Sequence, residues 1–237
     1  MSSAAGLFVT GTDTEIGKTV AAAALIRHLV AGGVRCAPMK PVASGAHMAG
    51  GRLVNEDALA LLEAAGGGFE YGDVNPYVFA DPVAPHIAAG RGGTVIEFDV
   101  IDAARRRLAA NADAVVVEGV GGWLVPLAPG LDVETLARRL ALPVVLVVGL
   151  RLGCINHALL SVRAIESSGC AFAGWIANHL SDDFPEAGEN IDAIRAGIGA
   201  PPLAEVAFRP DGTAKARLEA VDEGVLSAAL AAAARGA

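Results

Sequence analysis

Short runs of apolar, often β-branched residues alternate along this chain with longer segments that have the periodicity of helices. The runs are uninterrupted, as in AVVV and PVVLVV, which is typical of parallel strands that are covered on both faces. This alternation predicts an α/β fold in three layers, with helices on both faces of a mostly parallel sheet. The predicted strands are 6–11, 34–39, 113–119, 143–150, 172–179 and 202–207. The predicted helices are 18–33, 56–68, 99–112, 133–142, 156–169, 186–197 and 222–235.

The composition favours one large domain with a substantial core. Of the 237 residues, 53% are hydrophobic and 19% are charged. No linker, repeat or shift in composition divides the chain, so residues 1–237 are interpreted as a single domain. The apolar runs are shorter than the roughly 20 residues that a bilayer requires, and the N-terminus lacks the pattern of a signal peptide. We therefore expect a cytoplasmic protein without a membrane partner.

The charge and the cysteine pattern argue against two further classes of protein. A net charge of −8 disfavours a nucleic-acid partner, and the basic run at 105–107 is interpreted as a solvated helix face. The three cysteines are far apart and the five histidines lack metal-ligand spacing. Neither a zinc site nor a disulfide framework is therefore expected.

The segment GTDTEIGKT follows the first predicted strand and leads directly into the first predicted helix. It differs from the common phosphate-binding template, a Gly, four residues and then Gly-Lys-Ser/Thr, because five residues separate Gly11 from Gly17. Amide groups at such a helix start bind phosphate, Lys18 can reach the outer phosphates, and the Thr19 hydroxyl suits Mg²⁺. We interpret the segment as a widened phosphate loop; a Gly-rich turn without a ligand is the alternative.

Lysine usage points to two functional cations. The chain has 15 arginines but only three lysines, and Lys18 and Lys40 both lie in Gly- or Pro-flanked segments just after predicted strands. A compact ammonium is not replaceable by a planar guanidinium in a tight phosphate site, so both lysines are expected to contact phosphate. Lys40 begins KPVASG, which brings Ser44 to the same sheet edge; an ordinary turn with a surface lysine is the alternative. The third lysine, Lys215, is interpreted as a surface residue.

Two carboxylates are candidates for holding Mg²⁺. Glu118 ends an apolar strand and precedes GVGG, which is the placement of the Walker-B acid in nucleotide-binding enzymes. Asp57 begins a helix after a Gly-rich loop and is the second candidate. A helix cap or a structural ion pair is the alternative for Glu118, and an ordinary helix-start acid is the alternative for Asp57.

Two further strand ends carry candidate binding groups. The predicted helix start at Gly153–Asn156 offers a second anion pocket. Asn178 and His179 follow another strand, and an Asn amide can pair with a purine edge. The sequence shows no Ser-His-Asp arrangement and no cysteine in a basic setting. The whole set therefore fits phosphoryl transfer to a small, anionic acceptor, in which positioning and charge stabilisation supply the catalysis.

Several of these segments together resemble the dethiobiotin synthetase family. The matching stretches run in order from residue 8 to residue 178 and are FVTGTDTEIGKT, KPVASG, EDALAL, VNPYVF, PHIAAG, VVVEGVGGW, PVVLVVGLRLGCINHALL and AGWIAN. The resemblance implies a homodimer of P-loop subunits that uses ATP and Mg²⁺ to join CO2 or bicarbonate to 7,8-diaminopelargonate. It also implies that an amine of this diamine becomes a carbamate, which attacks the γ-phosphate, and that the resulting anhydride closes to the cyclic urea of dethiobiotin.

The resemblance further implies roles for individual residues. The catalytic residues, at the γ-phosphate and the carbamate, would be Lys40, Lys18 and Thr14. The Mg²⁺ ligands would be Thr19, Asp57 and Glu118. The substrate ligands would be Ser44 and Thr14 and, at the carboxylate across the dimer interface, Gly153, Cys154 and Asn156. The nucleotide would be bound by Glu15, Ile16, Gly17, Lys18, Thr19, Val20, Asp57, Glu118, Gly119, Val120, Gly121, Asn178, His179, Ala207, Phe208 and Arg209.

The chain departs from the family pattern at three places. His179 stands where an acid is common, Ala207–Arg209 lacks a proline, and Asn190 stands where a tyrosine is common.

A separate hypothesis concerns the extra loop residue, which would let Thr14 and Glu15 line the space where the acceptor meets ATP.

Two other classes of ATP-binding protein are alternatives to this interpretation. A switch ATPase of the partitioning or septum-positioning kind carries a signature lysine near position 13, where this chain has Asp13. An amidotransferase-type synthetase requires an additional glutaminase domain, for which 237 residues leave no room. Both classes are therefore disfavoured.

Overall fold

The computed structural model of the chain describes residues 4–210 and 216–235, so Lys215 lies outside the described residues. The strands are β1 (Ala5–Gly11), β2 (Cys36–Met39), β3 (Val42–Ser44), β4 (His47–Ala49), β5 (Arg52–Val54), β6 (Tyr77–Phe79), β7 (Ala114–Glu118), β8 (Pro126–Ala128), β9 (Leu131–Asp132), β10 (Val144–Leu150), β11 (Phe172–His179) and β12 (Ala204–Val206). The helices are α1 (Lys18–Ala31), α2 (Glu56–Ala64), α3 (Tyr71–Val74), α4 (Pro85–Arg91), α5 (Phe98–Ala109), α6 (Val133–Leu140), α7 (Cys154–Ser167), α8 (Ala187–Ile198) and α9 (Glu223–Arg235).

Six parallel strands form the central sheet, in the order β12-β11-β10-β1-β7-β2. Successive side chains of a strand point to opposite faces of a sheet. In β1, Phe8 accordingly packs in one core, whereas Leu7 and Val9 pack in another. Both faces of the central strands are buried, which explains their unbroken apolar runs and confirms the predicted parallel sheet.

Helices cover both faces of this sheet. The core that contains Leu7 and Val9 also includes helix α1, whose residues 21–26 are fully buried, and Leu226 of α9. The opposite core contains side chains of α5, α6, α7 and α8. Within the described ranges, no helix combines the length and the apolar character that crossing a membrane requires.

Every predicted strand and helix is present, with ends that differ by a few residues. Helices α1 and α2 end earlier than predicted because left-handed glycines follow them, namely Gly33 with a φ of 84° and Gly66 with a φ of 78°. Helix α7 begins at Cys154 instead of residue 156, directly after Gly153, which has a φ of 93°. The short elements β3–β6, β8, β9, α3 and α4 were not predicted, because such short segments show too few residues to establish a period.

The carboxyl ends of the strands place the candidate side chains along one edge of the sheet. Lys40 follows β2, Glu118 ends β7, the phosphate loop follows β1, Arg151 follows β10, and Asn178 lies at the end of β11. These five strands are consecutive neighbours in the sheet. Ligands of open α/β sheets bind at this edge, so the fold itself assembles a candidate site here.

Candidate active site

The phosphate loop connects β1 to α1 and contains two left-handed residues. Glu15 has a φ of 59° and Gly17 a φ of 76°. A left-handed conformation is uncommon for a residue with a Cβ atom, and such residues cluster at functional sites. The loop is anchored at its start, where the Thr12 N–H donates to the Val147 carbonyl at 3.1 Å. The local backbone at residues 15 and 17 thus accommodates a loop that is one residue longer than the common template.

Lys18 lies in the first turn of α1, beneath the loop. Its side chain is nearly buried, and its Nζ donates to the Asp13 carbonyl at 2.6 Å. Burial, together with the nearby Lys40 ammonium, lowers the pKa of Lys18 to about 8. A phosphate group in the loop would favour the charged form of this lysine, so its position and its chemistry fit an anion ligand.

Lys40 is the centre of a buried charged cluster. Its Nζ lies 2.5 Å from Glu118 Oε1 and 2.9 Å from Asp57 Oδ2. The same ammonium donates to the Gly119 carbonyl at 3.2 Å. The Thr19 hydroxyl donates to Glu118 Oε1 at 2.9 Å, which joins the cluster to the phosphate loop. Lys40 is 3% exposed and Glu118 is fully buried, so these charges are held away from bulk water.

Burial opposes the charge of all three groups in the cluster, but their neighbours decide the direction in which each pKa is shifted. Burial opposes the charge on Lys40, but the two carboxylates outweigh it and raise the pKa of this lysine. Burial acts against the charge of Asp57 as well, yet the Lys40 ammonium holds the pKa of Asp57 below its usual range. Burial raises the pKa of Glu118 in spite of Lys40. A further cation beside Glu118 would therefore offset an unfavourable burial of negative charge.

Thr19, Asp57 and Glu118 form a donor set that fits Mg²⁺. Among the described residues, Glu118 Oε2 is buried without a hydrogen-bond partner, and a cation would satisfy this orphaned acceptor. Mg²⁺ prefers oxygen ligands and is usually bound by one or two carboxylates together with substrate phosphates. This mode of binding does not require a site built from protein ligands alone. It is therefore compatible with the described part of the chain, which contains no cluster of three or more His, Cys, Asp or Glu suited to a metal.

A cavity of about 930 Å³ opens beside the charged cluster. It is lined by these residues of the predicted site: Thr14, Glu15, Gly17, Lys18, Thr19, Val20, Lys40, Ser44, Asp57, Glu118, Val120 and Gly121. Thr14 and Glu15 are exposed residues in its wall, and their place between the acceptor and ATP stays a prediction. Within the described residues, the Ser44 hydroxyl is buried without a partner and can bond a ligand. Apolar wall is supplied by Val83, Pro85 and Val125.

Comparison with known proteins assigns this chain to a family. A family model described as an AAA domain matches residues 5–216. The ATP-dependent dethiobiotin synthetase BioD of Aromatoleum aromaticum is 50% identical over 199 residues, which are 84% of this chain and 88% of that protein. The protein of the same name from Idiomarina loihiensis is 45% identical over 211 residues, which are 87% of this chain and 94% of that protein. The chain belongs to the dethiobiotin synthetase family.

Solved structures show the same fold at low sequence identity. A ParA family ATPase from Chlorobium tepidum aligns with a TM-score of 0.52 and 14% identity, covering 95% of this chain and 90% of that protein. The 54 kDa signal recognition particle protein from Aeropyrum pernix aligns with a TM-score of 0.52 and 16% identity, covering 97% of this chain. This chain spans about half, 49%, of the latter protein. These likenesses concern the fold alone.

Within this dethiobiotin synthetase fold, Asn178 lies beneath the phosphate loop. Its Nδ2 donates to the Ile16 carbonyl at 2.9 Å, and its side chain is buried. The Ile16 side chain is itself part of the apolar core. The structure therefore assigns Asn178 the support of the loop, while its contact with adenine stays a prediction.

The other predicted nucleotide ligands of the last strands lie outside the cavity. His179 Nε2 lies 3.2 Å from Glu205 Oε2, and Arg209 Nη2 lies 3.7 Å from Glu219 Oε1. Ala207 and Phe208 are half-buried. Gly119, which follows β7, also does not line the cavity: its carbonyl accepts a hydrogen bond from the Lys40 ammonium, and a Cβ atom added there would lie 3.3 Å from the Phe8 ring. Nucleotide contacts by these residues stay predictions.

The start of α7 also lies outside the cavity of this subunit. Gly153 and Asn156 are exposed, whereas Cys154 is buried and its thiol donates to Asn190 Oδ1 at 3.5 Å. Asn190 therefore packs behind the predicted anion pocket. The arrangement leaves this pocket facing outward, and its contact with a partner subunit's substrate stays a prediction.

Asn55, which was not predicted to belong to the site, connects several parts of it. Its Oδ1 accepts the N–H groups of Asp57 at 3.1 Å and Ala58 at 3.4 Å, so it is the N-cap of α2. Its Nδ2 donates to the Ser44 carbonyl at 3.2 Å, and its N–H donates to the Tyr71 hydroxyl at 2.8 Å. The signal was present, because an Asn directly before Glu-Asp is typical of a helix start.

The Asn55→Ala variant is expected to lose about 1–3 kcal/mol in free energy of unfolding, because it loses a helix cap and leaves buried partners unpaired. It should also need more Mg²⁺ for half-maximal turnover, since Asp57 loses its anchor. Chemical denaturation and a Mg²⁺ titration measure the two effects. Asn111→Ala, which removes an exposed hydrogen bond to the Arg107 carbonyl, is the control. Equal effects of the two variants would contradict the role given to Asn55.

The Gly17→Ala variant is expected to disrupt the phosphate loop. A Cβ atom at Gly17 would lie 2.1 Å from Asn178 Nδ2, and the φ of 76° is unfavourable for alanine. Gly66→Ala is the matched control, because Gly66 has a φ of 78° but nothing within 4 Å of an added Cβ. The left-handed backbone costs both variants about 1–2 kcal/mol. Only Gly17→Ala should also weaken ATP binding, measured by calorimetry; unchanged ATP affinity in this variant would contradict the described loop packing.

Proposed function

We propose that this chain is a Mg²⁺- and ATP-dependent dethiobiotin synthetase that converts 7,8-diaminopelargonate and CO2 or bicarbonate to dethiobiotin, ADP and phosphate. The observation that carries the proposal is the buried cluster of Lys40, Glu118 and Asp57 beside a phosphate loop in one cavity. It is supported by 45–50% identity to proteins that are named ATP-dependent dethiobiotin synthetase. The predicted cytoplasmic location stays a prediction.

The phosphate loop and its flanking lysines supply the binding site for ATP. The N–H groups of the loop and of the first turn of α1 attract phosphate oxygens, and the Lys18 ammonium can reach the outer phosphates. Thr19, Asp57 and Glu118 would hold Mg²⁺, which polarises the phosphate oxygens and neutralises developing charge when bound. Lys40 lies between the two acids and is the cation nearest to both, so it is placed to stabilise charge on the group that is transferred.

The reaction in this site consists of three steps. One amine of the substrate adds to CO2 and loses a proton, which gives a carbamate. A carbamate oxygen attacks the γ-phosphorus, and ADP leaves with the electrons of the broken P–O bond. The second amine then attacks the carbamoyl carbon, loses a proton and expels phosphate, which closes the cyclic urea. Each anionic group along this path needs a nearby cation, and Lys18 and Lys40 are both buried at the cavity wall.

The rest of the cavity fits the diamine. Thr14 and the unpartnered Ser44 hydroxyl would bond the amines or the carbamate, and Val83 and Val125 give the aliphatic stem an apolar wall. The substrate carboxylate would reach the start of α7 in a second subunit, because these residues face away from the cavity of their own subunit. We therefore propose a homodimer with the substrate site at the interface.

The proposal is tested by ATP turnover with and without 7,8-diaminopelargonate and bicarbonate. We expect ADP release to depend on both compounds, with one labelled carbon from bicarbonate entering the cyclic urea for each ATP consumed. ATP hydrolysis that is indifferent to the diamine, or product without the labelled carbon, would refute the proposal.

A further inference from the structure

Asp13 lies in the phosphate loop, and its carboxylate forms an ion pair across the sheet edge. Its Oδ2 lies 2.6 Å from Arg151 Nη2, in the segment that connects β10 to α7. Both side chains are about half exposed, at 46% and 47%. Exposed ion pairs contribute little to stability, so stability alone gives no reason for this contact.

Asp13 has two further contacts, and both lead to residues of the proposed reaction. Its Oδ1 accepts the Thr14 N–H at 2.8 Å, and its carbonyl accepts the Lys18 ammonium at 2.6 Å. The hydrogen bond from Thr14, with Arg151 adding to it, holds the pKa of the Asp13 carboxyl below its usual range. Asp13 therefore stays ionised and holds a cavity-lining loop residue and a phosphate-binding lysine at fixed positions.

Arg151 is attached in the same way to the start of α7. Its carbonyl accepts the N–H of Cys154 at 3.0 Å, which closes the turn before the helix. The ion pair therefore connects the phosphate loop to the segment that offers the outward-facing anion pocket.

We propose that Asp13 and Arg151 form a positioning pair that holds Thr14 and Lys18 at a fixed position relative to the first turn of α7. The pair links the site of phosphoryl transfer in its own subunit to the α7 pocket, which in the proposed homodimer would receive the carboxylate of the substrate bound in the other subunit. The inference rests on the proposed function for the roles of Thr14, Lys18 and the α7 pocket. Neither member of the pair lines the cavity, so each acts through its neighbours.

The test is a double-mutant cycle with Asp13→Asn and Arg151→Gln. Asn keeps an oxygen that accepts the Thr14 N–H, so both single variants remove the same ionic contact. Each should lower kcat about tenfold to a hundredfold, because small misplacements of reacting groups have effects of this size. The KM for ATP should rise much less than kcat falls. The double variant should be no worse than either single variant, since the members of a coupled pair are non-additive.

The Asp81–Arg91 pair supplies the control. It is also an exposed Asp–Arg contact, with 2.9 Å between Arg91 Nη1 and Asp81 Oδ2, and both side chains are at least half exposed. Asp81→Asn and Arg91→Gln should leave kcat unchanged. Thermal unfolding of all variants should shift by similar small amounts, which separates positioning from stability.

Hydrogen exchange gives a readout that is independent of turnover. In Arg151→Gln, amides of residues 12–18 should exchange faster than in the wild type, although position 151 is 138 residues from Asp13 in sequence. Arg91→Gln should not have this effect. Unchanged exchange, or additive losses of kcat in the cycle, would overturn the inference. A wild-type protein without diamine-dependent turnover would refute the proposed function, and the exchange comparison would still decide whether the pair orders the loop.

Discussion

Lys40→Arg is expected to lower kcat for dethiobiotin formation by about 10²–10³-fold, the range found when one donor to a developing charge is removed. The substitution keeps the positive charge but changes its shape. The Lys40 ammonium is enclosed by Glu118, Asp57 and the Gly119 carbonyl at 2.5–3.2 Å, and a longer, planar guanidinium cannot occupy the same volume. The measurement is kcat at saturating ATP, diamine and bicarbonate.

The control for this variant is Arg91→Lys, which exchanges the same two cations in the exposed pair with Asp81. It should retain nearly all activity. Thermal unfolding of Lys40→Arg must be measured beside kcat, since placing a larger side chain in a packed, buried site costs about 1–3 kcal/mol. A folded Lys40→Arg protein whose kcat is within about threefold of the wild-type value would contradict the placement of this ammonium at the transferred group. The loss of a contact made in the transition state lowers kcat far more than that.

Glu118→Gln is expected to lower the affinity for divalent metal at least about tenfold and kcat about a hundredfold, because the variant replaces the carboxylate that we propose as a metal ligand with a neutral amide. Gln has nearly the same shape, so the variant tests charge and not packing. It removes the negative charge at the buried Oε2, which has no partner within the described residues. The electron paramagnetic resonance of Mn²⁺, titrated with a non-hydrolysable ATP analogue, measures the affinity without turnover.

Glu134→Gln is the control for this charge change. Glu134 pairs with Arg138 one turn away on α6, at 3.5 Å, and does not line the cavity. It should bind Mn²⁺ with unchanged affinity. Asp57→Asn should resemble Glu118→Gln, because both acids share Lys40. Wild-type metal affinity in Glu118→Gln would rule out Glu118 as a ligand.

The elements that frame the site could be predicted from the sequence because their signals are local. Unbroken valines predicted β7, and the Gly-Lys-Thr triplet after an apolar run predicted the loop and the start of α1. Parallel strands place their carboxyl ends at one edge, and this rule alone predicts that Lys40, Glu118 and the loop lie close together. The interpretation of the chain as a single domain stays a prediction.

The contacts between these groups could not be predicted, because they depend on side-chain direction over long separations. Lys40 contacts Glu118 at a separation of 78 residues, and nothing in either segment indicates that the lysine lies between two acids. The position of Asn178 shows the same limit. Its place at a strand end predicted a contact with adenine, which stays a prediction, but nothing in the sequence indicated that its amide donates to the Ile16 carbonyl under the loop. The ion pair of Asp13 with Arg151 had no local signal either.

The most direct test of the central claim, phosphoryl transfer to a carbamate in this cavity, uses CO2 labelled with ¹⁸O. The carbamate oxygen that attacks phosphorus stays on the phosphate, because the second amine breaks the bond between this oxygen and carbon. We predict that each phosphate released during the first turnovers, before the label exchanges with water, carries one ¹⁸O atom. Phosphate whose oxygens come only from ATP and water would contradict the account.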